Sequence, residues 1–128
     1  MKKRFSSLLS MLCLTAACSA GDDGRTLSPR EFDKAVKADT TAYIIDVRRA
    51  SEFAEGHLRN AHSLDVLSQD AFADGIRLLD KSRTYYIYCR SGRRSQEAYR
   101  LMSAEGLNVY DMKGGINAWM GEGLPLVK

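Results

Sequence analysis

The sequence is poor in the residues that build disulfide scaffolds and metal sites. Its 128 residues include three cysteines, at positions 13, 18 and 89, which are too few for a dense disulfide framework. The two histidines, His57 and His62, have only a distant cysteine to accompany them, and this argues against a closed zinc site. The sequence also lacks internal repeats, a phosphate-binding loop and a dinucleotide-binding fingerprint. We therefore expect no metal and no cofactor.

Length and composition describe one compact globular domain. The hydrophobic fraction of 45% and the charged fraction of 27% are typical of folded proteins rather than disordered ones. A chain of 128 residues is long enough for one domain and too short for two. The formal net charge of +3 suggests a basic protein, but its meaning depends on where the charges lie.

The basic excess lies in the first residues of the chain. The opening Met-Lys-Lys-Arg is followed by an uncharged, mostly apolar stretch over residues 5–16 and by small residues before Cys18. This order predicts a secretory signal peptide over residues 1–17, because the apolar run is shorter than the roughly 20 residues of a membrane span. The remaining 111 residues hold 16 basic and 16 acidic side chains, so the sequence gives no support for nucleic-acid binding.

Residues 14–18, Leu-Thr-Ala-Ala-Cys, resemble the lipobox of bacterial lipoproteins. The resemblance implies that Cys18 receives a lipid and becomes the mature N-terminus. With Ser19 rather than aspartate after the cysteine, it also implies an anchor in the outer membrane, on the periplasmic side. The small, polar residues 18–26 are then expected to form a flexible tether ahead of a domain over residues 27–128.

Helix and strand patterns alternate along this domain. The first helix has a complete set of start signals, with Ser28 as N-cap, Pro29 at the first position and Glu31 closing a capping box. The spacing of Leu27 and Phe32 suits a hydrophobic staple. Alternation predicts an α/β fold with a parallel sheet of four to five strands and helices on both faces. The predicted strands cover 42–47, 61–64, 84–89 and 107–112, and the helices cover 29–38, 50–55, 70–79, 93–105 and 115–121.

Cys89 carries the strongest chemical signal. It ends a predicted strand and opens a loop into a helix, and sites in parallel sheets form beyond the carboxyl ends of strands. Amide groups at a helix N-terminus favour an anion, and Gly92 permits the tight turn that aims them at one sulfur. Arg90, Arg93 and Arg94 add positive charge, so the setting favours a thiolate. The plainer alternative is a buried cysteine among arginines that form solvated ion pairs.

Three motifs resemble those of the rhodanese-like family. The loop Cys-Arg-Ser-Gly-Arg-Arg-Ser at 89–95 resembles the family's active-site loop. The upstream and carboxyl-terminal motifs are matched by Asp46-Val47-Arg48, Glu52-Phe53, Gly56-His57, Gly114-Gly115 and Trp119. The resemblance covers residues 27–128 and implies a single α/β domain whose cysteine takes a sulfane sulfur as a persulfide and passes it to a nucleophile. It implies thiosulfate as the laboratory donor and cyanide as the acceptor.

The resemblance assigns roles to individual residues. Cys89 is the predicted nucleophile, and the predicted sulfur-binding loop consists of Arg90, Ser91, Gly92, Arg93, Arg94 and Ser95. We expect Arg94 to point inward and brace this loop. Asp46, Arg48 and Glu52 are predicted to support the site, Arg48 and Glu52 as an ion pair at a spacing of four and Asp46 as the partner of a nearby arginine. His57 and Trp119 are expected to be structural.

The length of the loop also helps to distinguish sulfur transfer from competing functions. In related phosphatases five residues separate the cysteine from the arginine, whereas four separate Cys89 from Arg94, which favours a sulfur atom over a phosphoryl group. A thiol-redox role lacks a second mature thiol to resolve a mixed disulfide. A non-enzymatic persulfide carrier or docking module in the cell envelope stays open. The predicted partners are a small anionic sulfur donor, a thiol or protein acceptor, and the membrane through the lipid on Cys18, with no nucleic acid.

Overall fold

The structure, a computed structural model, describes residues 24–128. The predicted signal peptide, Cys13, the lipidation site Cys18 and most of the predicted tether lie outside the described residues. Across residues 24–128, every helix is too short or too polar to cross a bilayer.

Five parallel strands form one sheet in the order β1-β5-β4-β2-β3. All of the strand pairs are parallel, so the carboxyl ends of the strands share one edge. Four strands are those that the sequence predicts, with ends that shift by at most one residue. The strands are β1 Thr26–Leu27, β2 Ala42–Asp46, β3 Ala61–Ser63, β4 Thr84–Tyr88 and β5 Asn108–Met112.

Helices cover both faces of the sheet, as the alternating pattern predicts. Ser28 caps α1 through the expected capping box with Glu31, because the Ser28 hydroxyl accepts the Glu31 N–H while the Glu31 carboxylate accepts the Ser28 N–H. The helices are α1 Pro29–Ala38, α2 Ala50–Glu55, α3 Gln69–Arg77, α4 Arg93–Ala104 and α5 Gly115–Gly121.

The strand β1 lies where the sequence analysis places the end of the tether. Thr26 and Leu27 pair with Asp111 and Met112 of β5, and the Asp111 N–H donates to the Arg25 carbonyl at 2.8 Å. A two-residue edge strand has no periodic pattern, so the sequence does not reveal it. The ordered sheet therefore begins before the predicted boundary at residue 27.

The two faces of the sheet carry separate apolar cores. Strand residues such as Ile45, Ile87 and Val109 pack with α3 and α4, whereas Tyr86 and Tyr88 pack with α1 and α5. The second core contains Trp119, which is 5% exposed and donates its indole N–H to the Pro125 carbonyl at 2.9 Å. Both Leu27 and Phe32 of the predicted staple also pack in this core. The structural role expected for Trp119 is confirmed.

Candidate active site

Cys89 lies directly after the central strand β4, at the edge where the strands end. Its side chain is buried, with 1% of the residue exposed. The next residues turn back over the sulfur, and the Gly92 N–H donates to Cys89 Sγ at 3.1 Å. Gly92 is the N-cap of α4 and has a φ of 100°, a conformation that glycine adopts at little cost. The sulfur is thus in contact with a backbone amide at the start of α4.

The Gly114-Gly115 motif joins α5 to this loop. The Ile116 N–H donates to the Cys89 carbonyl at 2.9 Å, and the Asn117 N–H donates to the Arg90 carbonyl at 3.1 Å. Gly115 has a φ of 62°, and a Cβ there would lie 2.5 Å from both carbonyl oxygens. The first turn of α5 therefore fixes the loop backbone, and position 115 has no room for a side chain.

Arg94 connects the loop to α2. Its Nη1 and Nη2 donate to Glu52 Oε1 and Oε2 at 2.6 and 2.9 Å, and both side chains are mostly buried. The hydrogen bond from Arg94 lowers the pKa of Glu52 to about 2. The predicted ion pair between Arg48 and Glu52 is therefore wrong. Arg48 precedes α2, which begins at Ala50, so the helical spacing rule does not apply to it.

Arg48 instead pairs with Asp46 in a buried network. The Arg48 guanidinium donates to both Asp46 carboxylate oxygens, at 2.7–3.1 Å, and to the Gly56 carbonyl at 2.7 Å. The Tyr88 hydroxyl donates to Asp46 Oδ2 at 2.7 Å and accepts the Leu58 N–H at 3.1 Å. Burial, followed by the Asp46 charge, raises the pKa of Tyr88. Asp46 is thus the partner of a nearby arginine, as predicted, and the network joins β2 to β4.

The remaining charged residues of the loop face solvent. Arg90, Ser91 and Arg93 are exposed, and neither arginine has an ion-pair partner among residues 24–128. A cavity of about 210 Å³ opens beside the loop, and its walls include Arg48, Glu52 and Arg90. The exposed Glu55 also lines this cavity, so charged side chains of both signs surround it.

Two further polar residues near the loop are buried: Ser95, which the sequence analysis places in the loop, and Asp111, which it missed. Ser95 is fully buried, and its hydroxyl donates to the Gly92 carbonyl at 3.3 Å. Asp111 is 3% exposed, and burial raises its pKa to about 6. The sequence feature that could have revealed Asp111 is a carboxyl inside an apolar strand, where a charge is costly unless it is paired or protonated.

The surroundings of His57 indicate a structural role. His57 Nδ1 lies 3.0 Å from the Phe53 carbonyl, and the rings of His57 and Phe53 stack with centroids 3.8 Å apart. The backbone N–H of His57 donates to the Val127 carbonyl. In the part of the chain that the structure describes, no group of three His, Cys, Asp or Glu side chains is placed to bind a metal ion. The site is therefore built from Cys89, its loop and the two salt bridges that support it.

Comparisons with known proteins agree with this geometry. The family model of the rhodanese-like domain matches residues 28–122. A protein of Allochromatium vinosum named sulfurtransferase is 36% identical over 108 residues, which cover 82% of this chain and 92% of that protein.

Solved structures show the same fold. A rhodanese-related protein from Thermoplasma volcanium is similar with a TM-score of 0.71 and 27% identity, over 80% of this chain and 97% of that one. A rhodanese-like domain protein from Staphylococcus aureus is similar with a TM-score of 0.68 and 28% identity, over 81% and 99% of the two chains. These matches confirm the predicted single α/β domain and support a sulfurtransferase at the level of the family. The chain belongs to the rhodanese-like domain family.

Proposed function

We propose that this protein is a sulfurtransferase that carries a sulfane sulfur on Cys89. The observation that carries the proposal is the Gly92 N–H donated to Cys89 Sγ at the start of α4. A backbone amide aimed at the sulfur stabilises the thiolate, which is the nucleophilic form of cysteine. Arg94 adds positive charge near the thiolate, while its ion pair with Glu52 keeps the loop in place.

The proposed reaction has two steps that balance in atoms and charge. The Cys89 thiolate attacks the outer sulfur of thiosulfate, the sulfur–sulfur bond of the donor breaks, and sulfite leaves with the bonding electron pair. The product is a Cys89 persulfide anion. Cyanide or a thiolate then attacks the outer sulfur of this persulfide, and the Cys89 thiolate leaves. No external oxidant or reductant takes part.

Two features support a small anionic donor. Arg90 and Arg93 are exposed beside the loop without carboxylate partners in residues 24–128, so they can attract a dianion. Cys89 itself is 1% exposed, which favours attack on the terminal atom of a slender donor. A persulfide places its outer sulfur about 2 Å beyond Sγ, where an acceptor reaches it more easily.

The same burial supports a second candidate, a persulfide carrier that serves one protein acceptor. A sulfur that is 1% exposed is poorly accessible to free thiols in solution, whereas a docked protein could present its nucleophile along a fixed path. The two functions differ in turnover. Multiple cycles with cyanide or small thiols favour the enzyme, and loading without turnover favours the carrier.

Intact-protein mass spectrometry of residues 24–128 tests the proposal. Thiosulfate should add one sulfur atom, and cyanide should remove it with release of thiocyanate. Cys89→Ser should remain unmodified, while Ser103→Ala, an exposed change on α4, should load like the parent protein. Loading of Cys89→Ser, or a parent protein that never gains sulfur from thiosulfate, would contradict the proposed donor and nucleophile.

The proposed cellular setting is the periplasmic side of the outer membrane, with a lipid on Cys18. The charged start, the apolar run and the resemblance of residues 14–18 to a lipobox support this proposal. Expression of the full chain in a Gram-negative host, followed by membrane fractionation and mass analysis of the N-terminus, tests it. Cys18→Ala should release the protein from the membrane fraction; a Cys18 without lipid in the parent protein would exclude the anchor.

A further inference from the structure

The cavity beside the sulfur-binding loop is bordered by two charges of opposite sign that have no ion-pair partner within residues 24–128. One is Arg90 of the loop and the other is Glu55 at the end of α2, and both residues are exposed. No ion pair joins them to each other or to another residue of this range. A ligand that carries both a cation and an anion could therefore pair with both side chains.

Arg48 adds a second anion-binding group to the wall of this cavity. Its side chain is 7% exposed, and Nε and Nη2 donate to the Asp46 carboxylate and the Gly56 carbonyl. Nη1 has no hydrogen-bond partner among the described residues. The only side-chain nitrogen or oxygen there that is fully buried without a partner is Asp111 Oδ1, so Nη1 is open to water. Because the cavity borders Arg48, Nη1 can donate to an anion inside it.

The rest of the cavity wall limits the size of the ligand and adds no further unpaired charge. Glu52 is paired with Arg94 and does not compete for the cation of a ligand. The apolar part of the wall consists of Ile116, Met120 and Leu126. The volume of about 210 Å³ is below the roughly 300–1,000 Å³ of pockets for drug-sized ligands. The cavity therefore suits a compact molecule whose two charges are separated by a short carbon chain.

The position of the cavity suits the second step of the proposed reaction. Arg90 directly follows Cys89, and two residues of the cavity wall, Ile116 and Asn117, donate their N–H groups to the Cys89 and Arg90 carbonyls at 2.9 and 3.1 Å. A molecule in the cavity is therefore in contact with the part of the loop that follows the proposed persulfide. Sulfite leaves before the acceptor enters, so Arg90 can bind the donor in the first step and the acceptor in the second.

We propose, on the basis of the proposed function, that the sulfur acceptor is a small thiol of the amino-acid type. Its ammonium group pairs with Glu55, and its carboxylate pairs with Arg90 and Arg48 Nη1. Its thiolate attacks the outer sulfur of the Cys89 persulfide anion and forms a new sulfur–sulfur bond, while the bond from that sulfur to Sγ breaks. The electron pair of the broken bond returns to Cys89, which becomes a thiolate again. The acceptor leaves as a persulfide anion, so no oxidant or reductant is needed.

Three thiols test the two contacts separately. Cysteine carries both charges, cysteamine carries only the ammonium group, and 3-mercaptopropionate carries only the carboxylate. The kcat/KM for the acceptor reports only the transfer from the persulfide, and the ratio of variant to parent removes the reactivity of each thiol itself.

Glu55→Gln should lower kcat/KM about fivefold for cysteine and cysteamine, the effect of one solvent-exposed ion pair, and should not lower it for 3-mercaptopropionate. Arg90→Gln should lower kcat/KM about fivefold for cysteine and 3-mercaptopropionate and should not lower it for cysteamine. The controls Asp70→Asn and Arg77→Gln change exposed charges on α3 and should keep all three ratios near 1. Equal losses for all three thiols, or no loss for cysteine, would overturn the proposal.

A binding measurement separates this proposal from the proposed function. S-methylcysteine has both charges but no thiol, so it can bind and cannot accept sulfur. In ¹H–¹⁵N NMR it should shift the Asn117 amide signal saturably, with a Kd about fivefold higher in Glu55→Gln and in Arg90→Gln. A parent protein without sulfurtransferase activity overturns the proposed function, while this titration still decides whether the cavity binds an amino acid. A signal that does not shift, or an equal Kd in parent and variants, overturns the acceptor site.

Discussion

Both terminal nitrogens of Arg94 donate to the Glu52 carboxylate, at 2.6 and 2.9 Å, and this contact connects the first turn of α4 to α2. This two-point contact joins the sulfur-binding loop to the upstream motif. A bidentate guanidinium–carboxylate pair fixes orientation as well as distance, which a single contact from lysine would not do. The pair therefore fixes the first turn of α4 relative to α2.

Glu52→Gln should destabilise the protein by about 1–2 kcal/mol at pH 7, because it removes the charge from two charge-assisted hydrogen bonds. The Arg94 hydrogen bond lowers the pKa of Glu52 from 4.5 to about 2. A lowered carboxyl pKa stabilises the fold above the unfolded value and loses this effect as the pH falls through the folded value. The difference between variant and parent should therefore shrink from about pH 4.5 towards pH 2. Urea unfolding across this range measures it, and a difference independent of pH would refute the assignment.

Gly115→Ala should destabilise the protein by about 2–4 kcal/mol, because the added methyl would lie 2.5 Å from the carbonyl oxygens of Cys89 and Arg90. It should also slow persulfide formation, since α5 would move away from the loop. Gly121→Ala is the matched control in the same helix, because its Cβ has nothing within 4 Å. The control should leave sulfur loading unchanged and should stabilise the protein by at most about 1 kcal/mol. Equal effects of the two substitutions would show that α5 does not position the loop.

Asp46→Ala should lower the free energy of unfolding by about 3–5 kcal/mol, because it leaves the buried Arg48 guanidinium without its counter-charge. The comparison is Asp74→Ala, which removes an exposed ion pair with Arg77 and should change stability little. Chemical denaturation of both variants at neutral pH measures the difference. Similar small losses would mean that water or another group compensates Arg48.

Asp111→Asn should stabilise the protein at neutral pH by about 1–3 kcal/mol, because it removes a desolvated carboxylate. Burial raises the pKa of Asp111 from 3.8 to about 6, so the folded protein holds the proton more tightly than the unfolded chain. Its contribution to stability is full below pH 3.8 and is lost as the pH rises through 6. The gain from asparagine should therefore appear between these values and level off above. Thermal unfolding from pH 4 to pH 8 measures this gain, and a loss of stability at pH 8 would contradict it.

Much of the fold follows from local patterns in the sequence. The capping box at Ser28 and Glu31 sets the start of α1, and the aromatic and β-branched run at 84–88 identifies the central strand. The position of Cys89 at the end of this strand follows from the topology of a parallel sheet. These signals depend on neighbours in the chain, which is why a single sequence reveals them.

The pairing of charged side chains could not be predicted in the same way. Arg48 has Glu52 four residues away but bonds to Asp46, and Glu52 bonds to Arg94, 42 residues along the chain. Which carboxylate an arginine meets depends on how α2 and α4 pack on the sheet, and no spacing rule encodes that packing. The burial of Asp111 was hidden for the same reason, since it depends on how α4 packs over β5.

The contacts between α5 and the loop also set the order in which the site is assembled during synthesis. The amides that donate to the Cys89 and Arg90 carbonyls belong to Ile116 and Asn117. A nascent chain that ends before these residues therefore contains Cys89 but lacks these two hydrogen bonds. The backbone contacts of the Cys89 loop are therefore complete only after α5 has been made.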